Sequence, residues 1–73
     1  MEIKVRISNA WWDGRRTHED KTFTSPIEFN HYREKLLEEY KQDDSCNVEE
    51  NGVNFTAVWS SCSKLWFKVI AIN

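Results

Sequence analysis

Two adjacent tryptophans, Trp11 and Trp12, run directly into Asp13-Gly14-Arg15-Arg16, the densest concentration of binding chemistry in this 73-residue chain. An exposed indole beside guanidinium groups can anchor a protein partner, or stack on a base while the arginines hold phosphates. The residues before the pair alternate. Ile3, Val5 and Ile7 are apolar while Glu2, Lys4 and Arg6 are charged, the pattern of a strand with one buried face. If that strand continues, one of the two tryptophans must lie outside the core. Trp12, Arg15 and Arg16 therefore form the first candidate partner-binding group, with Lys4 and Arg6 on the same sheet face.

The other polar residues carry less chemistry. His18 and His31 lack metal-ligand spacing, and Cys46 and Cys62 stand 16 apart with no CxxC. Ser60, Ser61 and Ser63 compose no triad with the histidines. The only two glycines, Gly14 and Gly52, fall in turns rather than in a phosphate loop. No catalytic residue, metal or cofactor is expected, and a domain this small has little means of enclosing a reaction.

Two further surfaces are candidates. Glu38, Glu39, Asp43, Asp44, Glu49 and Glu50 form an acidic stretch suited to a basic target or to mimicry of phosphates. Asp43 and Asp44 fall where a helix dipole prefers cations. Val58, Trp66 and Ile70 would form an apolar patch on the sheet face that a single helix cannot cover, a surface for a partner or for homodimerisation.

The elements that would position these residues are largely readable. Ser25-Pro26-Ile27-Glu28 is an N-cap, a proline at the first helical position and a capping-box glutamate. A stripe of Phe29, Tyr32, Leu36 and Tyr40, flanked by Leu37, predicts a helix over about 26–42. Asp13-Gly14 predicts a three-residue hairpin loop, Trp12 to Gly14, that brings Phe23 beside Ile3. The returning segment 15–24 is weakly patterned, a short edge strand or a loop. Asn51-Gly52 predicts a type I′ turn joining a strand near 46–50 to Val53–Trp59, with Val48 opposite Phe55 and Cys46 opposite Ala57. A three-residue turn then leads into Lys64–Ile72, placing Cys62 at a hairpin tip and Val58 across from Trp66. In that last strand Trp66, Ile70 and Ile72 oppose Leu65, Phe67, Val69 and Ala71, so both faces are apolar, as in a central strand.

The expected fold is α+β in the order β(β)αβββ, with one helix on a mostly antiparallel sheet of four to five strands, and a single domain over residues 1–73. The last strand is expected between the first strand and the 53–59 strand. A net charge of −2 argues against a dedicated nucleic-acid binder. The charge is uneven, though: residues 28–50 hold eight Asp/Glu against three Lys/Arg, while residues 51–73 hold two Lys and no acid. No apolar run approaches the roughly 20 residues of a membrane span. The direct entry into a strand suggests no secretory leader, hence reduced thiols and a cytoplasmic setting.

In size, aromatic richness and uneven acidity the chain resembles, as a class, small phage-encoded inhibitors of host defence such as anti-CRISPR proteins; no motif carries the likeness. That resemblance implies a stand-alone inhibitor or adaptor that occupies a macromolecular surface in the host cytoplasm, its partner a protein, with a nucleic-acid-handling enzyme among the candidates. The alternatives are a small nucleic-acid-binding module using the Trp/Arg turn and a homodimeric scaffold.

Overall fold

The computed structural model describes all 73 residues. Strands β1 (Ile3–Ala10) and β2 (Arg16–Phe23) precede helix α1 (Pro26–Lys41), and β3 (Cys46–Asn51), β4 (Asn54–Trp59) and β5 (Lys64–Ile72) follow it. All five strands join one antiparallel sheet in the order β2-β1-β5-β4-β3. The sheet is α+β as expected, with β5 between β1 and β4, and segment 16–23 is an edge strand.

The helix links the two edges of that sheet. Four strand spacings make about 19 Å, and 16 helical residues reach about 24 Å, so α1 is long enough to cross one face from β2 to β3. Its aromatic contacts mark the crossing. Phe29 and Tyr32 meet Phe23 of β2 at centroid distances of 5.8 and 5.4 Å, while Tyr40 meets Phe55 and Trp59 of β4 at 6.3 and 5.3 Å. Beneath it lie Ile3, Val5, Ile7, Phe55, Ala57, Leu65 and Phe67, closed by Phe29 and Leu37. Phe55 and Phe67 are directly paired across β4 and β5 and stack at 4.8 Å.

The helix stripe is centred one residue from the expected one. Phe29, Arg33 and Leu37 point straight down, and Tyr32, Leu36 and Tyr40 flank them half-buried. Arg33 is only 9% exposed, and hydrogen bonding compensates its burial. Its Nε donates to Val53 O at 2.8 Å, and one terminal nitrogen donates to Gly52 O and to the Glu50 carboxylate.

That clamp accompanies a corrected register. Asn51 pairs with Asn54, so the loop is Gly52-Val53 rather than Asn51-Gly52. Type I′ needs positive φ at both central residues, which β-branched Val53 resists. Here only Gly52 has it, at 63°, and the turn fits type II′. Val48 thus faces Ala57, Cys46 faces Trp59 and Glu50 faces Phe55. Because the slip is two residues in pairing, every side chain keeps its face.

The β4–β5 turn also differs. Trp59 N donates to Ser63 O, closing a Ser60–Cys62 loop one residue earlier than expected, with Cys62 at φ 72°. It repeats the β1–β2 turn, where Trp11 N donates to Arg15 O and Gly14 has φ 90°. Trp66 therefore faces Thr56, and Val58 faces Lys64. A bulge opposite Lys4 and Val5 shifts the end of β5, so Ile72 pairs with Ile3 and no longer shares the face of Trp66. Both cysteines are free thiols.

Candidate binding face

One face of the sheet carries no helix. Its residues are set by strand parity: Lys4, Arg6 and Ser8 from β1, Arg16, His18 and Asp20 from β2, Thr56 and Val58 from β4, and Lys64, Trp66 and Lys68 from β5. Trp66 stands on a central strand, hydrogen-bonded on both sides, between the small side chains of Ser8 and Thr56. Those neighbours cannot cover an indole, and the residue stays 38% exposed. It forms the ridge between two cavities. One, of about 410 Å³, is lined by Arg6, Ser8, Arg16, Lys68 and Ile70 together with Trp66. The other, of about 500 Å³, reaches Thr56, Asn54, Asn51 and Glu49.

The charges on this face are mostly unspent. Five of the ten Lys and Arg make no ion pair, and four of those five, Lys4, Arg16, Lys64 and Lys68, project here. The fifth, Lys35, is on the helix. Arg6 is bound to Asp20 through two bonds of 2.9 and 3.0 Å. That pairing holds the Asp20 carboxyl below the usual range, with Lys4 adding to the effect. By parity the acids of the face are Asp20, Glu2 and Glu49, against five cations. The rest of the molecule is the reverse: leaving aside the Asp13-Arg15 turn pair, eight carboxylates stand against four cations. A protein of net charge −2 thus presents one locally basic plane.

The Trp-Trp turn divides its labour. Trp12 is 74% exposed at the hairpin tip, and Trp11 is half-buried. Arg15 is occupied within the turn, its guanidinium 5.0 Å from the Trp11 ring centroid and 2.9 Å from the Asp13 carboxylate. Arg16 instead joins the open face beside Arg6 and Trp66. The apolar patch is only partly assembled: Trp66 and Ile70 share a cavity, whereas Val58 is half-buried opposite Lys64.

The six acidic residues are not brought together. Glu38, Glu39 and Asp44 are exposed and make no ion pair. Glu50 turns under the helix to Arg33 and Lys41, which hold its pKa down, Lys41 most strongly. Its strand neighbour Glu49 points to the opposite face. Asp43 has a structural task that explains its place at a helix C-terminus. It accepts from the Ser45 amide and hydroxyl and from Trp59 Nε1, bonds that lower its pKa.

Lys64 and Lys68 were missed as site residues although Lys64-Trp66-Lys68 has the two-residue period of one strand face. Arg33 was missed as well; its signal is its place four residues from both Phe29 and Leu37. No group of three His, Cys, Asp or Glu side chains stands together to hold a metal ion, and no helix is long and apolar enough to cross a membrane. In comparisons with known proteins, no family model, curated protein or solved structure matches the chain.

Proposed function

We propose that this protein is a non-catalytic binding module that engages an anionic macromolecular partner across its helix-free sheet face, with Trp66 as the anchor. The observation that carries the reading is the gathering of four of the five unpaired cations on the sheet face that presents one exposed indole from a rigid central strand. Of the other six cations, five are in ion pairs and Lys35 projects from the helix, so no carboxylate of the fold accounts for this gathering. Trp12 and Arg16 extend the surface at one end. A homodimer through the same face would bring Lys64 and Lys68 against their own copies, which like-charge repulsion disfavours.

The test is capture from a cell lysate by the immobilised protein, compared with Trp66→Ala and with the Trp12→Ala, Arg16→Ala double variant. Loss of the retained partner by folded Trp66→Ala supports the reading, and a smaller loss is expected for the double variant. A partner held equally by wild type and Trp66→Ala overturns it.

A second reading has its own observation. Glu38, Glu39 and Asp44 are exposed, unpaired carboxylates on the helix side. They suit an inhibitor that occupies a basic site on a nucleic-acid-handling enzyme, as in defence-evading phage proteins. Loss of capture in Glu38→Gln, Glu39→Gln with retention in Trp66→Ala would favour it.

A further inference from the structure

We infer that the occupant of the open face is a single-stranded nucleic acid, with one base stacked on Trp66 and the backbone phosphates held by Arg16, Lys64, Lys68 and Lys4. This rests on the binding face proposed above and names its ligand.

Three features of the face select this ligand over an acidic protein. The first is composition. The centre of a protein–protein interface is enriched in aromatic residues but depleted in Lys and Ser, and here Trp66 is surrounded by Ser8, Thr56, Lys64 and Lys68. The only sizeable apolar companion in its basic cavity is Ile70. A desolvated protein anchor needs an apolar ring around it, whereas a stacking platform needs an accessible π-face and nearby cations. The second is shape. Open cavities flank the indole on both sides, so a strand can pass over it with neighbouring nucleotides seated to either side. The third is spacing. Lys64, Trp66 and Lys68 alternate along β5, which puts the two ammonium groups' Cα atoms roughly 13 Å apart at about 3.3 Å per residue. Arg16 of β2 lies across β1 from that row, and Lys4 lies on β1 itself, paired with Ala71 at the far end of β5.

A duplex is excluded by the same geometry. Its bases are stacked on one another, so none can lie on Trp66, and a flat sheet face offers no ribbon or helix to enter a groove. The Asn and Ser/Thr groups around the ring provide hydrogen bonds without a fixed code. Binding is therefore tolerant of sequence.

The experiment is fluorescence anisotropy of the full chain with labelled twelve-residue oligothymidine and oligouridine, with a duplex of the same length and with heparin as a polyanion that cannot stack. Both single strands should bind, and their relative affinity reports whether DNA or RNA is preferred. Trp66→Ala should weaken single-strand binding roughly tenfold or more, with Trp66→Phe retaining most of it. Four phosphate contacts predict a log–log salt slope of about −3, and Arg16→Gln with Lys68→Gln should about halve it. Glu38→Gln should leave affinity unchanged. Circular dichroism of each variant separates lost binding from lost folding.

The inference is overturned if neither oligonucleotide binds at low salt, if Trp66→Ala binds as wild type does, or if heparin and duplex compete as well as a single strand. If the oligonucleotides fail while Trp66→Ala still loses a captured partner, the ligand is wrong and the binding face stands. If both fail, the face itself is refuted.

Discussion

The two faces of the sheet use cations in opposite ways. Under the helix, Arg33 is buried and donates to Val53 O, Gly52 O and two carboxylates, and Lys41 shares one of them. Lys21 meets Glu19 and lies 5.3 Å from the Tyr32 ring centroid. On the open face only Arg6 is paired, and Lys4, Arg16, Lys64 and Lys68 serve no partner within the fold. Cations without an ion-pair partner, repeated four times on the face that exposes Trp66, are where the demands of stability and of the proposed binding separate. The covered face explains why the molecule folds; the open one is where we propose that it binds.

The sharpest test of that division lies in two adjacent residues of β5. Phe67 is 1% exposed and packs between Phe55 and Phe29, so Phe67→Ala should cost about 3–5 kcal/mol. A domain of this size has only about 4–11 kcal/mol in all, and the variant should be partly unfolded at room temperature. Trp66→Ala, one residue away on the other face, should cost about 1 kcal/mol or less. Urea denaturation of both variants measures the contrast. Equal destabilisation would mean that Trp66 belongs to the structural core.

A cation from each face gives the next contrast. Arg33→Met keeps the apolar stem but leaves the Gly52 and Val53 carbonyls without their donor, and a loss of about 2 kcal/mol is expected. Lys68→Met should change stability by less than about 0.5 kcal/mol. If Lys68→Met destabilised as much as Arg33→Met, the open-face cations would be structural and the proposed site would lose its basis.

Much of this was legible in the sequence. The Ser25 N-cap and Pro26 start are realised, with Ser25 Oγ accepting from Glu28 N at 3.4 Å, while the Glu28 carboxylate makes no return bond to Ser25 N. The Trp12–Gly14 loop brings Phe23 to Ile3 in the expected register. What could not be read were conformations that local chemistry does not demand. Cys62 takes a left-handed φ that glycine would announce, so the β4–β5 loop was expected one residue late, and Trp66 was set against Val58 instead of Thr56. The Gly52-Val53 turn was hidden behind a stronger Asn-Gly signal, and the Arg33 clamp that secures it spans 20 residues. The open face was half-legible: Trp66 was placed on it, but its basic ring joins residues of three strands and needs the sheet order to be seen.

The turns extend the comparison at smaller scale. Two place glycine at positive φ, and the third places Cys62 there at 72°. A side chain in that region costs roughly 1–2 kcal/mol, part of which glycine would return as greater freedom in the unfolded chain. Cys62→Gly should stabilise by about 0.5–1 kcal/mol and raise Tm by several degrees in a domain of this length. An unchanged Tm would show that the cysteine position is unstrained.

Acid titration gives the smallest of these effects and separates the carboxylates that folding uses. Asp43 and Glu50 both have pKa values below the ordinary range, Asp43 mainly through Ser45 and Glu50 mainly through Lys41. A carboxylate whose pKa is lower in the folded than in the unfolded state stabilises the fold above its unfolded value. That contribution is lost as pH falls through the folded value. Stability should therefore be level near neutrality and decline below about pH 4. Glu50→Gln should flatten the decline, because its amide cannot exchange a proton over that range, and Asp43→Asn should do so as well. Asp20 on the open face also has a lowered pKa, through Arg6, and Asp20→Asn should remove its share of the acid slope while freeing Arg6. If the open face binds phosphates, that variant alone should bind an anionic ligand more tightly than wild type, so one substitution would weaken the fold's response to acid and strengthen the surface.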